Sequence, residues 1–349
     1  MSDSALSPPE PHLAPWCSRE VDQLRRAWRE GRLPHALLVQ GADGLGKRAF
    51  SAWLGAAVLC ERSAQGELEM CGACASCALI KARTHPDLLW VAPEEGKQQI
   101  SIDQVRAAAD RLTRTSFRRG YKVAALEPAH LMSTGATNSL LKTLEEPSPP
   151  SLLILITSQP SLLLATVRSR CQKITLTRPS AEMAMQWLAE RTGARVDPAL
   201  LAFSGGAPMR ALEYAGGRFQ KLDEQMQKSL GDLFAGRTDV TQVAALWEKD
   251  QLSDRLIWLD LWLSALARGA LAGSAELVTF PGRTVHLPTP SRTLNISGVY
   301  ALVDRARALR AQLARTALQK ELAVESWLIA LLETFASPTP ARESRRPVR

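Results

Sequence analysis

His35-Ala-Leu-Leu-Val-Gln-Gly-Ala-Asp-Gly-Leu-Gly-Lys-Arg-Ala-Phe50 decides the fold of this chain. Ala36 to Gln40 is an apolar run of strand length, a glycine-rich turn follows, and from Lys47 the spacing predicts a helix. Gly41-x4-Gly46-Lys47, with Gly44 inside it, is the pattern of a phosphate loop. Its glycines let backbone N–H groups wrap phosphate oxygens, the helix start adds the positive end of a dipole, and Lys47 reaches the outer phosphates. One position departs from the pattern. Arg48 stands where such loops carry the Ser or Thr whose hydroxyl ligates Mg2+. The cradle is kept and one chemical tool is missing.

Upstream, Ser18 to Glu30 places Val21, Leu24, Ala27 and Trp28 on one helical face, with Ser18 as the expected N-cap and Gly31 as the stop. Downstream, Phe50, Trp53, Leu54, Ala57 and Val58 form a helical stripe suited to packing on a sheet. Further strands are expected at Asp87 to Val91, Lys122 to Glu127, Leu152 to Thr157 and Lys173 to Leu176. Between them lie a helix opened by the capping box Ser101-Ile-Asp-Gln104, with Ile102, Val105, Ala109 and Leu112 inward, and a second over 133–144. Strands alternating with helices, one of them almost wholly apolar (Leu152 to Thr157), make a parallel α/β sheet covered on both faces.

Glu127 ends its strand, where a carboxylate facing a phosphate loop normally holds magnesium. The position after it, which normally polarises the attacking water, is Pro128, and a proline cannot act as a base.

Between the first helix after the loop and the second strand lie Cys60 and then Cys71-x2-Cys74-x2-Cys77. Such spacing lets thiolates converge on one ion, and four sulfurs suit tetrahedral Zn2+. Free thiols or an iron–sulfur site are the competing readings. Three of the six cysteines fall within seven residues, which points to metal binding more than to a disulfide framework.

Beyond Arg178-Pro179 the pattern turns helical: about 180–191, a helix capped by Asp197-Pro198 and stopped at Gly205-Gly206, and a third holding Met209, Arg210 and Leu212. From about 220 to 335 the helices are richly apolar, with Trp247 and Trp262 read as packing residues. Phe280 to Pro290 reads as irregular, and the Pro- and Arg-rich tail from Ala336 as disordered.

A length of 349 residues gives a prior of two or three domains. Hydrophobic residues make up 46% and charged ones 22%, ordinary for a globular protein, and no uninterrupted apolar run reaches the ~18 residues of a membrane span. The start MSDSALSPPEPHLAP lacks the basic and apolar regions of a signal peptide, so a cytoplasmic location is expected. Of the net charge of +8, the last residues supply +3, with Arg342, Arg345, Arg346 and Arg349 against Glu343, and the remaining +5 is spread over a large chain. It permits nucleic-acid contact without demanding it. Arg111, Arg114, Arg118 and Arg119 suit either a helix C-terminal dipole or a DNA contact.

Taken together, the altered phosphate loop, the four inserted cysteines, Thr84-His85-Pro86-Asp87, Lys142-Thr-Leu-Glu-Glu-Pro147 and Ser169-Arg170-Cys171 resemble the delta-prime subunits of bacterial DNA polymerase III clamp loaders, members of the AAA+ group. The motifs cover about 16–215; the remainder matches the family's helical collar only in length and pattern. The resemblance implies a RecA-like AAA+ domain with a zinc module at about 60–80 (1–177), a helical lid (178–218), an all-α collar for oligomerisation (219–335) and a tail (336–349). It also implies a hetero-pentameric ring with delta and tau/gamma subunits that uses ATP to open a sliding clamp and place it on primed DNA.

In such rings the Arg of Ser-Arg-Cys reaches into a neighbour's nucleotide site, and Arg170 matches it. Cys60, Cys71, Cys74 and Cys77 match the zinc ligands, Thr157 the polar strand-end sensor, and Arg210 in Gly206-x3-Arg210 the second sensor. With Arg48 and Pro128 in place, no ATPase of its own is expected, although Lys47 leaves phosphate binding open. The expected role is a non-hydrolysing stator within the DNA polymerase III holoenzyme. Two alternatives are an active tau/gamma-type ATPase, which a Ser or Thr at 48 and an Asp-Glu pair at 127–128 would have favoured, and a freestanding zinc-containing DNA-binding ATPase.

Overall fold

The structure, a computed structural model, describes residues 9–63, 66–118, 120–271, 278–280, 283–285, 295–313 and 319–336. The chain divides into two compact units, Met1–Ala184 with Ala207–Arg210, and Met185–Gly206 with Ala211–Arg349.

The first unit is built on five strands: β1 (Ala36–Gln40), β2 (Leu88–Val91), β3 (Lys122–Leu126), β4 (Ser151–Thr157) and β5 (Gln172–Thr175). Their order in the sheet is β2-β3-β4-β1-β5, with every pairing parallel. Helices α1 (Ser18–Arg29), α2 (Lys47–Leu59), α3 (Ala75–Lys81), α4 (Ile102–Thr113), α5 (Thr134–Glu145) and α6 (Ala165–Arg170) connect them. All seven residues of β4 are buried, as a strand covered on both faces requires. Leu38, Leu153 and Leu155 share a core with Val105, Leu112, Leu140 and Val167 of α4 to α6. By the period of two, Leu37, Val39, Ile154 and Ile156 face the other way, where α2 packs on β1, β3 and β4.

Several local expectations are corrected. Ser18 is the first residue of α1, not its cap; Cys17 takes that place at the end of a 3-10 turn over Pro15–Cys17. Ala108, rather than Ala109, joins Val105 and Leu112 inside, while the Ser101–Gln104 capping box is formed as expected. The stripe on α2 is too narrow a description. Every residue from Phe50 to Leu59 is buried, because α2 lies between the sheet and α3.

The second unit is helical: most of α7 (Ala181–Thr192), α8 (Pro198–Phe203), the end of α9 (Pro208–Glu213), α10 (Arg218–Phe234), α11 (Val240–Lys249), α12 (Leu252–Leu271), α13 (Ile296–Leu313) and α14 (Lys320–Ala336). Trp247, Trp258 and Trp262 are among its most deeply buried side chains, which makes them packing residues. The Trp258 indole N–H donates to buried Asp223 at 2.9 Å, and the Trp262 ring stacks on Phe335. Arg307 holds Asp260 through two donors at 2.8 and 2.9 Å, pinning α13 to α12. In the stretch expected to be irregular from Phe280 to Pro290, Arg283–Val285 (β7) forms a strand that pairs antiparallel with Val278–Phe280 (β6), which ends where that stretch begins. Both segments are rich in β-branched residues, and Pro281-Gly282 separates them. The tail expected to be disordered lies outside the described residues, as does Arg119.

Candidate functional site

The strand ends of the parallel sheet carry the site. Gly46 caps α2 in the left-handed region (φ 86°) and Gly44 precedes it at φ 77°, so the turn from β1 into the helix depends on these two residues. Lys47 is buried; its Nζ donates to Ala42 O at 2.8 Å and lies 3.4 Å from the Asp43 carboxylate. Burial pushes its ammonium pKa down, opposed by Asp43 and Glu127.

Register places Thr157 opposite Gln40, one residue before the loop. Its hydroxyl accepts the Gln159 N–H at 3.0 Å and pairs with His130 Nδ1 at 2.9 Å. Glu127 follows β3 and is engaged twice: Arg48 Nε forms an ion pair with its Oε2 at 3.1 Å, and the Trp90 indole N–H donates to the same oxygen at 3.1 Å. Burial raises the Glu127 pKa, while Arg48, Trp90 and Lys47 pull it back.

Arg210 reaches this site through its backbone neighbourhood. Met209 N donates to Gly44 O at 3.0 Å, and a Cβ on Gly44 would collide with Arg210. A Cβ on Gly46 would stand 2.7 Å from the Met209 methyl. Thus Gly44, Gly46, Lys47, Glu127, Thr157 and the Met209–Arg210 segment converge, with Gly41 at the end of β1. Trp90 and His130 were not singled out from the sequence, and Met209 was named only as part of a helix. The position of His130, three residues after Glu127 at a strand end, was the one available signal.

Arg170 stands elsewhere, at the end of α6. Its Nη1 donates to Thr166 O at 2.9 Å, and its Nη2 pairs with Glu145 at 2.6 Å. Glu145 belongs to Lys142-Thr-Leu-Glu-Glu-Pro147, so two of the sequence motifs meet in one ion pair.

The four cysteines also meet. One sulfur from each of Cys60, Cys71, Cys74 and Cys77 lies within 4.8 Å of every other. Cys60 is the C-cap of α2, and Cys74 is the N-cap of α3, accepting the Cys77 N–H. Backbone N–H groups of Cys71 and Cys74 donate to Cys60 Sγ and Cys71 Sγ, both at 3.4 Å. Such donors, led by Ala73 and Cys74, lower the Cys71 thiol to about 6. Two of the arginines considered for DNA contact have internal partners. Arg111 donates to Pro86 O and lies over the Phe117 ring, and Arg118 donates to Glu61 at 3.0 Å.

A family model described as DNA polymerase III, delta subunit, matches residues 17–180, and a second, DNA polymerase III, delta subunit, C terminal, matches residues 218–333. DNA polymerase III subunit delta-prime of Escherichia coli (strain K12) is 33% identical over 329 residues, 93% of this chain and 96% of that one. The chain belongs to the delta-prime subunits of DNA polymerase III. The delta-prime subunit of Pseudomonas aeruginosa is 36% identical over 245 residues, 69% of this chain and 74% of that one. Similarity extends to DNA polymerase III subunit tau of Bacillus subtilis, 31% identical over 159 residues, 46% of this chain and 27% of that one.

The cysteine cluster and the phosphate loop each raise the question of an ion, and the residues present answer it differently. A four-thiolate set fits a tetrahedral ion. Zn–S bonds of ~2.3 Å imply sulfurs ~3.8 Å apart, and the Cys60–Cys74 and Cys71–Cys77 pairs stand at 3.9 Å. Magnesium in the phosphate loop does not fit. The hydroxyl it would take from position 48 is a guanidinium, and the Glu127 oxygen it would share is already held by Arg48 and Trp90.

Proposed function

We propose that this delta-prime chain is a stator of the clamp loader: it does not hydrolyse ATP itself and lends Arg170 to the nucleotide site of a neighbouring subunit. The observation that carries this reading is the contrast between two arginines. Arg48 sits in the chain's own phosphate loop, at the position of the missing hydroxyl, and is paired with Glu127, whose side chain is only 20% exposed, whereas Arg170 ends α6, outside that loop, and is paired with Glu145, whose side chain is 50% exposed. A guanidinium delivered onto a γ-phosphate neutralises charge that builds in the transition state, an effect worth roughly 10³–10⁵ in rate in other NTPases. Glu145 holds Arg170 until a better anion arrives; a half-exposed pair of this kind contributes about 0–1 kcal/mol, so exchanging it for a triphosphate costs little.

In this reading the partners are delta and tau/gamma subunits in a hetero-pentameric ring, acting on the sliding clamp and primed DNA in the cytoplasm. Among the described residues no helix is long and apolar enough to cross a membrane. Residues 178–218 serve as the lid and 219–335 as the collar. The cysteine cluster holds a structural zinc that ties the end of α2 to α3.

The test is ATP turnover by a reconstituted loader with clamp and primed DNA. Arg170→Ala is expected to cause a large loss and Lys47→Ala none. Loss with Lys47→Ala in assembled complexes would mean that the phosphate loop is used and that the stator reading is wrong.

A further inference from the structure

Helix α2 opens with Lys47 and Arg48 and has no acidic residue in its first turn. Two cations at the positive end of a 13-residue helix oppose its dipole, so their placement needs a compensating anion. Glu127 provides it. Three elements meet there: Arg48 from α2, Glu127 from the end of β3, and Trp90 from β2. Trp90 serves both partners, donating its indole N–H to Glu127 and lying with its ring 5.9 Å from the Arg48 guanidinium carbon.

We propose that Arg48 is a built-in replacement for the divalent cation of a phosphate loop: from a fixed position it neutralises the strand-end carboxylate and thereby bars a metal ion from it. A guanidinium keeps its charge at every relevant pH and has no lone pair to offer a metal. A dication arriving at Glu127 meets the charges of Lys47 and Arg48 and has to displace the Trp90 N–H and the Arg48 ion pair from Oε2. It finds no hydroxyl at position 48 to complete its oxygen shell, and magnesium tolerates incomplete octahedra poorly. A phosphate entering this loop is therefore held without metal. The inference concerns the loop that the proposed function treats as silent, but it does not rest on Arg170. Its failure leaves the finger reading untouched, because that reading is measured at a neighbour's site.

The Trp90 indole N–H lies 3.1 Å from Glu127 Oε2, which makes it a reporter for any ion bound there. The experiment is an indole-15N spectrum of the full chain with ATP, titrated with Mn2+ as the paramagnetic probe, the Trp90 signal being identified by its loss in Trp90→Phe. In the native chain the Trp90 signal is expected to keep its intensity at one equivalent of Mn2+. It is expected to disappear in Arg48→Thr, to return in the double variant Arg48→Thr/Glu127→Gln, and to persist in Arg48→Lys, which keeps a cation. Loss of the signal in the native chain would overturn the proposal. So would a persistent signal in Arg48→Thr whose other indole signals show it folded. If Arg48→Thr does not fold, Arg48→Ser takes its place with the same two outcomes.

Discussion

His130 links the two halves of the strand-end site, because its imidazole touches Thr157 and lies in the fields of Asp43 and Lys47. Burial lowers its pKa, so below the ordinary value of about 6.5 the unfolded chain takes up a proton that the folded chain refuses. Stability contributed by neutral His130 is thus present above pH 6.5 and is lost as pH falls below it. Urea unfolding at pH 7 and at pH 5.5 should show a falling midpoint, and His130→Gln should flatten that fall. An unchanged slope in the variant would count against the assignment. Gly44 offers a second test at this scale. With φ at 77° and Arg210 where a Cβ would go, Gly44→Ala should lower unfolding free energy by about 1–3 kcal/mol. The glycines and Lys47 were legible in the sequence, because their spacing alone specifies a phosphate loop. The engagement of Arg48 was not, because its partners, Glu127 and Trp90, lie some 79 and 42 positions away and are brought close by strand order.

At the scale of elements, β4 and the cysteine module show how differently a segment can be specified. The seven buried residues of β4 are read from composition, since a run with no polar face belongs inside a parallel sheet. Ile154, fully buried, should cost about 2–5 kcal/mol as Ile154→Ala, read as a drop in the urea midpoint without a change in the metal content of the cysteine cluster. The cysteine module has little apolar content of its own, so under the proposed function a zinc ion is what orders the segment between α2 and α3. Metal analysis of protein prepared without chelator should find one zinc per chain, and Cys74→Ser should lose most of it. Zinc bound fully to Cys74→Ser would remove Cys74 from the ligand set. Here the sequence named the four thiols, and the structure brings their sulfurs together. The caps did not follow as cleanly, because Ser18 was displaced from capping α1 by the 3-10 turn that Pro15 starts.

For the whole molecule, the two units carry different duties under the proposed function: the first holds the phosphate loop, the cysteines and Arg170, and the second is the helical body read as collar. A chain ending at residue 217 lacks α10 to α14, and with them Asp223, Trp258 and the Arg307–Asp260 pair. It should fail to co-elute with partner subunits on size exclusion while still containing one zinc, which shows that the first unit has folded. Co-elution at full affinity would take assembly away from the helical body.

By itself the sequence determined the parallel α/β architecture, its helical continuation, the phosphate loop, the four thiols and the family to which the chain belongs. Each of these is written in local spacing: periods of two and of 3.6, glycine positions, and cysteine intervals. Tertiary structure decided what those pieces do to one another. It brought Arg48 to Glu127, His130 to Thr157, Met209 to the glycines and Glu145 to Arg170. None of these pairings is encoded by a local period. They arise because parallel strands linked by crossovers collect residues distant in sequence at the two ends of the strands.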